Sequence, residues 1–171
     1  MANGSRTKTL RHIETVRNFI GGMIQELITR QQHHDQSKLE SPEVDIFEKY
    51  TPLLRKCTYG SDEYKKHLLL MQTALDHHYR TNRHHPEFHL FGLENADPVF
   101  DSPLERMNLI DLNELCCDWY AASLRHDDGD YHRSIEINQK RFGFTDETKR
   151  ILLNTMEFLE SKNIYHKAEE S

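Results

Sequence analysis

Histidine is the unusual residue of this chain: twelve occur in 171 residues, and eight of them lie between His33 and His89. Imidazole nitrogens and carboxylate oxygens are the donors that hold Zn, Fe, Mn, Ni or Co. The first group is His33-His34-Asp35, followed by Ser37 and Lys38. His34 and Asp35 offer a nitrogen and an oxygen to one ion if it sits near a helix end. Lys38, three residues on, lies on the same side and could hold a phosphate oxygen as a point charge. The second group is His77-His78 with His84-His85. His67, Met71, Ala74 and His78 are spaced i, i+4, i+7 and i+11, one stripe of a single helix. His84 and His85 follow in the segment NRHHPEFH and can complete a dinuclear site. The third group is Asp111, Glu114 and Asp118, spaced i, i+3 and i+7 on one helix face, with Arg125 further along. Three carboxylates on one stripe repel unless water, cations or a metal offset them. His12, with Val16 and Phe19 at helical spacing, is expected to face inward. Each group also has an ordinary reading: a polar helix end, a solvated histidine-rich surface, a solvated acidic face, a hydrogen-bonded core histidine.

The elements that must position these residues read as helices. From Thr7 the apolar positions Leu10, Ile13, Val16, Phe19 and Ile20 recur at helical spacing. Gly21-Gly22 interrupts them, and Met23, Leu27 and Ile28 resume towards His34, giving two helices or one kinked helix. Ser41-Pro42-Glu43 predicts a helix start with Pro in the first position. Ser61 is a cap for a helix carrying Tyr64, Leu68, Met71, Leu75 and His78. Residues 82 to 101 read as a long loop, a length that is often functional. Ser102-Pro103-Leu104-Glu105 reads as a capping box opening a long helix through Met107, Leu115, Trp119 and Leu124. A short helix from Ile135 to Arg141 stops at Gly143, and Thr145 caps a last one. The expectation is an all-α helical bundle of about six or seven helices: a flexible tail over 1–6, one domain over 7–161, and a frayed tail over 162–171.

Composition narrows the partners. Lys plus Arg is 22 and Asp plus Glu is 28, a formal net charge of -6. Duplex nucleic acid and anionic membranes reward clustered cations, so neither is an expected partner. No apolar run approaches the ~20 residues that span a bilayer. The N-terminus lacks the charged-then-apolar layout of a secretory signal. Three cysteines, Cys57, Cys116 and Cys117, make a poor disulfide framework. The expected compartment is a reducing, cytoplasmic one, with homo-oligomerisation left open.

The order His12, His34-Asp35, an inward histidine, His84-His85 and a helical Asp resembles the HD-domain superfamily of metal-dependent phosphohydrolases. The likeness runs from about residue 10 to residue 125. The segment His34-Asp35-Gln36-Ser37-Lys38 looks like the HDxGK motif of its phosphodiesterase branches, with Ser37 in place of Gly. Asp118-Trp119-Tyr120-Ala121-Ala122 is similar to the DxYDA segment there, and HHPE at 84–87 is similar to the start of an HHE motif. The whole chain also looks like a small family from phages and bacteria that carries HDxSK, NxHHPE and DWxAA and has no assigned activity.

The superfamily resemblance implies an all-α HD-like domain holding one or two divalent transition metal ions. By it, His12, His34, Asp35 and Asp118 would ligate a first metal. Asp35 would bridge to a second, held by His78 and one or both of His84 and His85. Asp111 is the alternative to Asp118. Lys38 and Arg125 would contact phosphate, and Glu114 would orient a ligand or accept a proton. The implied activity is hydrolysis of a nucleotide or other small phosphate ester. The alternatives are an HD-fold di-iron oxygenase and a non-catalytic helical binding module.

Overall fold

Side-chain caps open four of the α-helices. The computed structural model describes residues 3–57, 61–91, 102–124 and 129–162. Among these are seven α-helices: α1 (Asn3–His33), α2 (Val44–Leu54), α3 (Asp62–Leu70), α4 (Gln72–Thr81), α5 (Leu109–Ser123), α6 (Tyr131–Phe142) and α7 (Asp146–Ser161). Three short 3₁₀ helices, Gln36–Leu39, Pro86–Leu90 and Pro103–Arg106, complete the set. The fold is all-α, as the sequence led us to expect. Ser61 accepts from Tyr64 N, Asp130 from His132 N and Arg133 N, and Thr145 from Thr148 N. Gly143 ends α6 at φ 66°, a left-handed conformation that glycine adopts without a Cβ clash.

The chain divides into two units, Met1–His34 and Asp35–Ser171, where the sequence reading had one domain over 7–161. The first unit is built on α1, which begins at Asn3 and runs unbroken through Gly21 and Gly22. A Cβ at either glycine would meet nothing within 4 Å, so no close approach requires them. Their cost, about 1 kcal/mol each, does not interrupt a ladder of this length.

Three boundaries in the second unit depart from the sequence pattern. α2 opens at Val44 rather than Pro42, because Glu43 N and Val44 N both turn back to Glu40 O. The helix expected to run from Ser61 to His78 breaks at Met71 into α3 and α4. Met71 is 1 % exposed, and its N–H is shared between His67 O and Leu68 O, so burying this side chain turns the corner. The helix expected from Ser102 is likewise two pieces. Ser102 caps only the short helix Pro103–Arg106, and the capping box proper is Asn108 with Asp111.

α5, α6 and α7 pack around Leu104, Met107, Leu115, Cys116, Trp119, Ile135, Phe144, Leu152 and Met156. Burial of this kind is worth roughly 25 cal/mol per Å² of apolar surface. Trp119 stacks on Phe142 at 6.0 Å between centroids. Cys116 belongs to this core, where burial pushes its thiol up to about 12. Leu115, Cys116 and Trp119 commit one side of α5 to the core, which leaves Glu114 and Asp118 outside that cluster. No helix among the described residues is long and apolar enough to cross a membrane.

Candidate metal centre

Four side chains of the second unit converge. Asp35, His78, His84 and His85 each place one ligand atom within 4.8 Å of the others. Asp35 Oδ1 lies 3.3 Å from His78 Nε2 and 3.5 Å from His84 Nε2. His78 Nε2 lies 2.8 Å from His85 Nε2. His78 and His84 are 2 % and 1 % exposed, so the donors face inward.

Each element has a reason to present its donor. Asp35 takes φ 56°, ψ 17°, a left-handed conformation that Asp tolerates better than most side chains. That turn closes with Lys38 N donating to Asp35 O and sets the Lys38 ammonium 2.5 Å from Asp35 Oδ2. Asn82 Nδ2, at the end of α4, donates to Ser37 Oγ at 2.8 Å and to His78 O at 2.9 Å. The Asp35–Lys38 turn is thereby tied to the helix that carries His78. The segment bearing His84 and His85 is pinned on both sides. Arg83 makes a two-pronged pair with Asp111 at 3.0 and 3.3 Å, and Arg141 pairs with Glu87 at 2.6 Å.

Two carboxylates orient the imidazoles. His78 Nδ1 donates to Glu43 Oε2 at 2.9 Å, and His84 Nδ1 sits 3.2 Å from Glu114 Oε1. A carboxylate accepts, so it fixes the proton on Nδ1 and turns the Nε2 lone pair towards the centre. Burial, with the His84 and His78 rings beside it, pulls His85 down to about 2, so it is neutral at ordinary pH. Imidazole nitrogens converging beside a carboxylate are the donor set a divalent transition metal takes. The residues present fit such an ion.

The His85 shift has a consequence for stability. The unfolded residue takes a proton near 6.5, and the folded one only near 2. The stability this residue permits is present above 6.5 and declines as pH falls through that value, by up to about 1.4 kcal/mol per pH unit. The metal-free protein is expected to lose Tm steadily from about pH 7 to about pH 5. His85→Gln should flatten that decline; equal slopes in the two proteins would rule His85 out as its source.

The remaining sequence-predicted residues divide. Asp118, on α5, brings a carboxylate oxygen within 4.8 Å of an Asp35 oxygen. Glu114, expected to orient a ligand or accept a proton, lies with Oε1 3.2 Å from His84 Nδ1. Asp111 does not join the cluster. It is fully buried, accepts from Arg83, and closes the cap of α5 through Asn108 N at 3.4 Å. Its charge answers a cation and a helix N-terminus, and its role is architectural. His67, expected on one stripe with His78, is separated from it by the break at Met71. His12 is exposed on α1 of the first unit rather than inward, since within that unit α1 has no neighbour to bury against. His34 ends the first unit, one peptide bond before Asp35. Arg125 lies outside the described residues.

Sequence reasoning missed Glu43, Arg83 and Asn82. Glu43 is fully buried and also accepts from His77 Nδ1 at 2.7 Å. Ser41-Pro42-Glu43 read only as a helix start, which hid a carboxylate positioned for two histidines. Beside the cluster lies a groove of about 360 Å³, lined by Lys38, Val44, Phe47, Pro52 and Arg55 among others. Lys38 Nζ stands 5.4 Å from the Phe47 ring centroid, between the groove and Asp35.

Residues 1–163 match the model of a family described as "Family of unknown function (DUF5662)". The chain belongs to that family. The match covers nearly all of the sequence and includes every residue of the cluster. No curated protein and no solved structure matches the chain.

Proposed function

We propose that this protein is a metal-dependent phosphohydrolase acting on a nucleotide or another small phosphate ester. The observation that carries the reading is the convergence of Asp35, His78, His84 and His85, with two of the imidazoles oriented by carboxylates. A divalent transition metal held there supplies Lewis acidity towards a phosphoryl oxygen. Asp35, with Asp118 within reach, contributes the anionic donors. Glu43 and Glu114 hold the protons on His78 Nδ1 and His84 Nδ1 and keep those rings from rotating. Lys38 presents fixed positive charge where the phosphoryl group gathers negative charge. Phe47, Val44 and Pro52 give the groove an apolar wall for the organic part of the ester, and Arg55 adds a second cation along it. The resemblance to HD-domain phosphohydrolases, carried by the His34-Asp35-Gln36-Ser37-Lys38 segment, supports the same chemistry.

Metal analysis of protein purified without a histidine tag, then a panel of nucleotides and phosphoesters, tests the reading. Lys38→Ala is expected to keep its metal and to lose about 10²-fold in kcat/KM, the scale typical of removing one transition-state donor. Unchanged kinetics in Lys38→Ala would remove the phosphate role. Hydrolysis of no ester by metal-loaded protein, with iron-dependent oxygen consumption instead, would replace the reading by oxygenase chemistry.

A further inference from the structure

A second group of donors lies between the end of α2 and α3. Cys57 Sγ, a Glu63 carboxylate oxygen and a ring nitrogen of His67 all lie within 4.8 Å of one another. None of these residues belongs to the Asp35 cluster. Glu63 and His67 are four residues apart on α3, which puts them on one face. Cys57 follows the last turn of α2, where its thiol donates to Leu53 O at 3.3 Å. The Tyr50 ring leans against His67, with centroids 6.1 Å apart. His67 Nδ1 is buried and has no hydrogen-bond partner among the described residues, a costly state for a ring nitrogen that a ligand or ion would relieve. Thiol, imidazole and carboxylate together are the donor set of zinc-type ions, with a fourth position open to water.

We propose that Cys57, Glu63 and His67 form a separate site for a thiophilic divalent cation of the zinc class. Binding joins the Cys57 sulfur to the cation and releases the thiol proton to solvent. The three ligands then clamp the end of α2 to α3. His67 lies on the helix just before the Met71 corner, and α4, beyond that corner, carries His78.

Cadmium is the probe, because a thiolate–cadmium bond gives an ultraviolet charge-transfer band. The Asp35 cluster contains no sulfur, so the band cannot come from it, and its absence leaves the phosphohydrolase reading untouched; loss of the band in Cys57→Ser, which keeps Cys116 and Cys117, assigns it to this site. Wild-type protein titrated with cadmium is expected to develop the band to one thiolate per chain. Cys57→Ser should lose it, and His67→Ala should require at least about tenfold more cadmium. A band that persists in Cys57→Ser, or none in the wild type, overturns the proposal. A second measurement needs no variant. Cadmium should protect Cys57 from alkylation while exposed Cys117 still reacts, as read by peptide mass spectrometry. Equal labelling of Cys57 with and without cadmium also overturns it.

Discussion

Asp35→Asn should weaken divalent metal binding on the order of 100-fold or more while leaving the helical content intact. Losing a partner that merely orients a ligand typically costs about 10- to 100-fold, so losing a donor costs at least the upper figure. Asp35 is the sole carboxylate of the four-residue cluster, and its Oδ1 lies within 3.5 Å of both His78 Nε2 and His84 Nε2. Its neighbours are imidazoles and the Lys38 ammonium, so without its charge a cation would meet no anion among those four residues. Asn is the informative substitution because it keeps the shape and tolerates φ 56°. Asp35→Ala adds about 1–2 kcal/mol of backbone cost in that left-handed position, which blurs metal loss with local unfolding. Calorimetric titration with zinc or manganese, alongside far-ultraviolet circular dichroism, separates the two. Wild-type metal content in Asp35→Asn would remove the centre from the protein.

The parts of this centre legible in the sequence were those set by local chemistry. Ser61, Thr145 and Gly143 bound their helices as such residues do elsewhere, because a cap acts within three or four residues. His84-His85 was readable beside His78 because a few residues of loop after α4 can only return near that helix's end. Asp35 and Lys38 were readable as a pair at i, i+3. What failed depended on distant partners. Nothing around Met71 is a helix breaker; the corner exists because a tertiary pocket buries that side chain. The spacing of Asp111, Glu114 and Asp118 states that they share a face but not what lies opposite. Arg83 meets Asp111 and His84 meets Glu114, contacts made across 28 and 30 positions of chain. The helix end at Asn108 overrode the stronger-looking Ser102 motif because Asn108 and Asp111 cap each other reciprocally.

Glu43 provides the second large effect, through a residue that touches no substrate. Its carboxylate is fully buried between His77 Nδ1 at 2.7 Å and His78 Nδ1 at 2.9 Å. Glu43→Ala removes the acceptor of both rings and leaves a void, and breaking a buried pair of this kind costs about 3–5 kcal/mol. A large fall in Tm is expected. Glu43→Gln separates orientation from packing. The amide matches the volume, but its oxygen accepts from one ring only while its NH₂ confronts the N–H of the other. If the amide group faces His78, the ring must move its proton to Nε2, which turns a donor hydrogen towards Asp35 and His85 and removes that nitrogen as a ligand. Metal affinity should fall about 10- to 100-fold with a smaller loss of stability than in Glu43→Ala. The lost affinity should track a His78 tautomer change visible in the ring ¹⁵N shifts. Glu43→Gln with unaltered metal affinity and an Nδ1-protonated His78 would mean that this carboxylate supports packing alone.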